Sequence, residues 1–252
     1  MPPTPVEEYT PQRHESVVRR PLSAAKDSGR RTTGQSRFPI LRILVHIGCW
    51  IPFVVLIWDF LHNHLTVNPI QEATFRTGKT ALIMLVLALA CTPVSVVFGI
   101  KQVLPLRRPL GLYAFFYASI HLLIFAAVDY GLDWGLIKEA ITEKRYVLVG
   151  FSAFLLLLPL AITSTRGWQR RLGKRWKSLH RLVYIAAPLV IIHFLWLVKA
   201  DIREPLLFGA IVTSLLLLRT PRVRRALVNL RYRLGGRGSK DLSKNKLRSV
   251  GD

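Results

Sequence analysis

The stretch Trp176-Lys-Ser-Leu-His180-Arg-Leu-Val-Tyr184-Ile-Ala-Ala-Pro188-Leu-Val-Ile-Ile-His193-Phe-Leu-Trp196 is an apolar run of membrane length that carries two histidines. About 20 apolar residues span the hydrocarbon core of a bilayer, so the segment reads as a transmembrane helix. A charge at the bilayer centre costs about 2.5 kcal/mol or more, which makes an intramembrane histidine a candidate functional group. His180 and His193 lie 13 residues apart, roughly 20 Å along a helix rising about 1.5 Å per residue. One imidazole then lies near each membrane face, a layout suited to relaying electrons between two stacked metal centres. At about 3.6 residues per turn the two point to different sides of an ideal helix. Pro188 between them removes a backbone hydrogen bond and kinks the helix, which can restore a common face.

Working outward, comparable apolar runs occupy residues 41–61, 80–98, 110–130, 146–162 and, shorter, 205–218. The 252 residues are 51% hydrophobic, yet the formal net charge is +22. Apolar and basic residues are therefore segregated along the chain. All of the 36 Lys and Arg except Arg76, Lys79, Lys138, Lys144, Arg145, Lys199 and Arg203 fall in residues 1–42, in the loops 99–109 and 163–181, or after residue 218. The alternate loops hold Asp59, Glu72, Asp129, Asp133, Glu139, Glu143, Asp201 and Glu204. Cytoplasmic segments carry the excess of Lys and Arg, so both termini are expected in the cytoplasm. This alternation accounts for the charge through topology, without nucleic-acid binding.

Residues 1–40 are polar, basic and rich in Pro, Ser and Thr, and read as a disordered cytoplasmic tail without a cleavable signal. Residues 219–252 read as a second basic tail, suited to lying on anionic lipid. Between them, 41–218 is expected to form an all-α, integral membrane bundle of six transmembrane helices. Cys49 and Cys91 both fall inside spans, where no disulfide is expected. The chain shows no metal-spaced Cys cluster, P-loop, dinucleotide-binding glycine fingerprint or nucleophile elbow. No internal repeat stands out in the sequence. Redox chemistry here would use histidine ligands or bound organic cofactors.

Depth sorts the seven histidines. His14, His62 and His64 belong to the tail and to the outer surface. His121 lies 13 residues beyond Arg108, and His193 lies 16 beyond Lys177, so their depths differ by only about 5 Å. The two can face each other across a heme in the outer half. Bis-histidine ligation fills both axial positions and suits electron transfer. His180 lies at the inner end of its span. His46, four residues past Arg42 on the first helix, is a candidate partner for it at an inner site.

Arg107-Arg108-Pro-Leu-Gly111-Leu, then Ala114-Phe-Phe-Tyr117 and His121, Thr163-Ser164, and Leu172-Gly173-x-x-Trp176-Lys177-x-Leu179-His180-Arg181-Leu-x-Tyr184 with His193 form a recognisable series. It resembles the heme-binding membrane subunits of periplasmic methionine sulfoxide reductase systems, within the ferric-reductase-like transmembrane superfamily. The resemblance covers about residues 42–218. It implies six helices, heme b, FMN, and electrons taken from the quinone pool or a cytosolic flavin reductase. The recipient it implies is a periplasmic molybdenum-containing methionine sulfoxide reductase catalytic subunit, reached from the bacterial plasma (inner) membrane. By position, His121, His180 and His193 match the family's histidines. The chain departs from the superfamily pattern in its basic extensions and in having a single histidine on the third helix, where many members have two.

Arg107 and Arg108 have two readings, as holders of heme propionates or an FMN phosphate and as plain topology signals. The loop residues Arg166, Arg170, Arg171, Lys174 and Arg175 share that ambiguity. Most tryptophans fall near span ends, as an interfacial belt does. The acidic residues 129–143 read as a solvated or partner-docking outer loop. Two rivals stand beside the main reading: a quinol-linked cytochrome b serving another acceptor, and a transport or structural membrane protein whose histidines pack or relay protons. A visible spectrum separates the heme readings from the last.

Overall fold

In a bilayer every backbone polar group must be satisfied within the protein, which leaves helices as the natural solution for apolar runs of this length. The computed structural model describes residues 39–198, 201–220, 223 and 225–226, and the expectations for the two tails fall almost wholly outside them. Among the described residues the regular elements are all helical: α1 Pro39–Leu61, α2 Pro69–Val97, α3 Arg107–Leu123, α4 Trp134–Glu143, α5 Arg145–Ile162, α6 Arg166–Leu172, α7 Lys174–Leu179, α8 Val183–Leu197 and α9 Arg203–Leu218. A 3-10 turn, Lys101–Leu106, leads into α3, and a π-helical turn, Ile124–Asp129, continues it.

Among the described residues, five helical runs are long and apolar enough to cross a membrane: Ile40–Leu61, Pro69–Val97, Lys101–Asp129, Arg145–Ile162 and Lys174–Leu197. The sixth helix of the bundle, α9, has 16 residues, about 24 Å of helix. The chain is thus a multi-pass, all-α membrane protein. Its second span begins earlier than hydropathy suggests. Asn68 caps α2 by accepting the Gln71 N–H at 3.1 Å, Pro69 opens the first turn, and the extra turns carry Glu72, Arg76 and Lys79.

Packing closes a ring in which α2 touches α3, α3 touches α5, α5 touches α8, α8 touches α9, and α9 returns to α2. Small residues allow close approach in lipid: Ala114, Ala153, Ala186 and Ala187 are fully or almost fully buried. α1 lies against the outside of this ring. Its Cys49 is buried, and the buried Tyr117 hydroxyl donates to the Cys49 carbonyl at 2.6 Å. Most other α1 side chains, among them Ile43, Ile47, Ile51 and Val55, are exposed apolar groups suited to lipid. One end of the bundle, the basic end, carries Arg42, Arg107, Arg108 and Arg219. At the far end, Arg76 pairs with Asp59 and Glu72, and Lys79 pairs with Glu204.

Two segments differ from the sequence expectation. The acidic outer loop contains a helix, α4, because Asp133 caps it by accepting the Gly135 and Leu136 N–H groups at 2.7 and 3.2 Å. The stretch that begins at Trp176 is not one continuous helix. α7 ends at Leu179, His180–Leu182 form a 3-10 turn, and α8 begins at Val183. The tighter winding of a 3-10 turn changes the rotation between His180 and His193, whereas α8 continues through Pro188.

Candidate functional site

A cavity of about 890 Å³ opens within the far-end half of the bundle, between α2, α3, α5 and α8. Its size falls in the range of about 300–1,000 Å³ typical of small-molecule and cofactor sites. Small residues make the room: Gly78, Ala114, Ala118, Gly150 and Ala153 all line it. The π-helical turn adds Phe125, Ala126 and Asp129 to the wall, and such turns often mark functional sites. Trp134, Ile137 and Ile141 of α4 cover the far end. At the mouth, the Lys144 ammonium donates to the Tyr130 hydroxyl at 2.8 Å, and this bond is the main reason its pKa lies above the ordinary lysine value.

His121 from α3 and His193 from α8 meet inside this cavity, with ring centroids 6.2 Å apart and planes at 84°. His121 Nδ1 lies 2.8 Å from the Thr74 carbonyl oxygen on α2, and His193 Nδ1 lies 2.6 Å from the Tyr146 carbonyl oxygen on α5. A carbonyl only accepts, so each Nδ1 carries the proton and each Nε2 keeps its lone pair. That is the tautomer a metal-binding imidazole needs, with its other nitrogen fixed by a hydrogen bond. Two imidazoles on one axis through a metal, each at about 2.0–2.1 Å, place their centroids just over ~6 Å apart. The observed separation fits one metal ion between the rings, and the apolar cavity around them has room for a planar macrocycle.

The two docks share one plan. In each, a histidine reaches the carbonyl of the residue 47 positions earlier, on the neighbouring helix. Four residues beyond each acceptor stands a glycine, Gly78 after Thr74 and Gly150 after Tyr146. A Cβ at Gly78 would lie 3.0 Å from His121 Nδ1, and one at Gly150 would lie 2.5 Å from His193 Nδ1. Sequence reasoning missed these glycines and both acceptors. For Gly150 the available signal was a glycine inside an otherwise apolar span, which marks close approach; Gly78, between Thr77 and Lys79, lies outside the apolar run at 80–98.

The basic-end histidines are placed differently. His46 Nδ1 lies 2.9 Å from the Tyr113 hydroxyl on α3. His180 Nδ1 donates to the Trp176 carbonyl at 3.2 Å, and the two rings lie 4.0 Å apart. Among the described residues no ring contact joins His46 to His180, and no group of three or more His, Cys, Asp and Glu comes together. His62 and His64 are exposed. Arg107 and Arg108 are exposed at the start of α3. Arg219, unremarked as a site residue in the sequence, is half-buried: it donates to the Leu89 carbonyl at 2.7 Å and lies 3.4 Å from the Tyr184 hydroxyl. Pro93 has no N–H for Leu89, so Arg219 supplies the donor that the proline withholds. Burial, then the charge of Arg107, pull the Arg219 pKa down from its ordinary value.

A ring of membrane helices with an interhelical histidine pair inside it defines a class, and residues 77–191 match the model of the ferric reductase like transmembrane component. The chain is 47% identical over 186 residues to the protein-methionine-sulfoxide reductase heme-binding subunit MsrQ of Rhodospirillum rubrum, covering 73% of this chain and 89% of that one. It is 45% identical over 181 residues to the MsrQ of Xanthomonas euvesicatoria pv. vesicatoria, covering 69% and 83%. No solved structure matches the chain significantly. The chain belongs to the MsrQ family.

Proposed function

We propose that this protein is a membrane heme b electron-transfer subunit that serves a periplasmic, molybdenum-containing methionine sulfoxide reductase catalytic subunit and so contributes to the repair of oxidised proteins. The observation that carries the reading is the His121–His193 pair, 6.2 Å between centroids and with both Nδ1 atoms bonded to backbone carbonyls. His121 and His193 would hold the heme in this reading through their Nε2 atoms. The chemistry the group would supply there is one-electron transfer.

The protein's part is placement and exclusion. The Thr74 and Tyr146 carbonyls hold the tautomer and strengthen each imidazole as a donor. Phe151, Phe154 and Phe194 supply apolar wall, and α4 covers the far end. Lys144, at the mouth, offers a cation to an anionic edge of the ligand.

A second centre at the basic end, held by His180, is the second reading. Its Nδ1 donates to the Trp176 carbonyl, which leaves Nε2 as the atom that would face a metal. His46 would be its partner only after leaving Tyr113. Arg107 and Arg108, exposed at the start of α3, match an FMN phosphate in charge. The basic end faces the cytoplasm of the inner membrane in this reading, both termini lie there, and electrons enter from the quinone pool or a cytosolic flavin reductase.

The test uses the full chain in proteoliposomes with a reduced quinol and the family's purified catalytic subunit. Reduction of a methionine sulfoxide substrate, accompanied by a reduced heme b α-band, is expected. A purified chain with no heme absorbance contradicts the reading.

A further inference from the structure

We propose that Gly78 and Gly150 are positioning residues that seat the two imidazoles against their acceptor carbonyls and thereby tune the iron, with Gly150 the stricter of the two. The inference rests on the reading of His121 and His193 as axial ligands.

Cα–Cβ bonds on a helix tilt toward its N-terminus, so the side chain of residue i+4 covers the turn that carries the carbonyl of residue i. A ring approaching that carbonyl from a neighbouring helix must cross this space. At both docks it is empty, because the residue four beyond the acceptor is glycine. The clearances differ. A Cβ at Gly78 would meet His121 Nδ1 at 3.0 Å and Cε1 at 3.1 Å, a contact that a shift of a few tenths of an ångström relieves. A Cβ at Gly150 would meet His193 Nδ1 at 2.5 Å and Cε1 at 2.7 Å, which the ring can escape only by leaving its seat. Glycine inside a helix costs roughly 0.5–1 kcal/mol relative to alanine. Gly48 and Gly111 show that helical glycine in this chain does not by itself mean a seat, since nothing lies within 4 Å of a Cβ built on either.

The consequence is electronic as well as steric. A hydrogen bond from Nδ1 to a carbonyl raises the basicity of the ligating nitrogen, which favours ferric over ferrous iron. Moving the ring off its carbonyl weakens that bond, and the midpoint potential rises.

The experiment compares Gly150→Ala, Gly78→Ala and the control Gly111→Ala in the full-length protein, reading heme per protein, the low-spin ferric EPR signal and the midpoint potential. Gly150→Ala is expected to lose at least tenfold in bound heme. Gly78→Ala is expected to keep its heme with altered g-values and a ferric/ferrous equilibrium moved up to tenfold toward ferrous, a rise of up to about 59 mV for one electron. Gly111→Ala should match the wild type. If Gly150→Ala fails to accumulate in membranes, the Gly78→Ala potential and EPR signal decide. Wild-type EPR and potential in Gly78→Ala, or wild-type heme content in Gly150→Ala, overturn the proposal. Failure of the underlying ligand reading looks different: His121→Ala and His193→Ala would then keep their heme.

Discussion

The two halves of this bundle use histidine in opposite ways. In the far-end half, His121 and His193 reach across to helices other than their own and meet in a cavity with both Nε2 atoms free. In the basic-end half, His180 bonds within its own stretch of chain and His46 is taken up by a tyrosine hydroxyl. The exposed His62 makes the same kind of local bond, to the Trp58 carbonyl at 2.9 Å. A local Nδ1 bond is therefore ordinary. An interhelical one, repeated twice around one cavity, fixes a ring relative to a second helix. The basic end spends its polar chemistry on the backbone instead, with Arg219 repairing the hydrogen bond that Pro93 opens.

The sharpest way to break this contrast is to fill the cavity while keeping both imidazoles. Ala153 is 1% exposed and lines the space. Ala153→Phe should cut bound heme at least tenfold in protein that still inserts, measured as heme per purified chain. Unchanged heme would mean that the cavity does not receive it.

Next in size is His180→Ala. If the basic end holds a second centre, this change removes part of the heme absorbance and leaves the far-end spectrum intact. Retention of the full absorbance would reduce the protein to one heme.

Arg219→Ala tests the other use of polarity. It leaves the Leu89 carbonyl without its donor, at a cost of about 1–3 kcal/mol, seen as a lower thermal midpoint in detergent with an unchanged far-end spectrum. Arg219→Lys should recover part of the loss. His46→Ala has the smallest expected effect. It removes one hydrogen bond to Tyr113, about 0.5–1.5 kcal/mol, without altering heme content.

Much of this organisation is legible in the sequence. Apolar runs and the alternation of Lys and Arg reveal the membrane helices, because a bilayer imposes length and charge rules directly on the chain. His121 and His193 were paired in the sequence by depth, counted from Arg108 and Lys177, and by the resemblance of the blocks around them. Their acceptors were not, since Thr74 and Tyr146 contribute only backbone carbonyls, which every residue has. Nor was the break at His180–Leu182, because apolar residues fill 3-10 and α turns alike. α4 escaped notice for a simpler reason: its ten residues carry Lys138, Glu139 and Glu143, which read as loop until Asp133 is seen capping the first turn.

The central claim is that His121 and His193 hold one heme between them. Its most direct test is the heme-to-protein ratio of His121→Ala and His193→Ala, each purified as a full-length, membrane-inserted chain, with the reduced-minus-oxidised spectrum recorded alongside. Either substitution alone is predicted to abolish the far-end heme or leave its iron five-coordinate, while the amount of inserted protein stays near the wild-type level. A wild-type ratio with a wild-type low-spin spectrum in either variant would contradict the account.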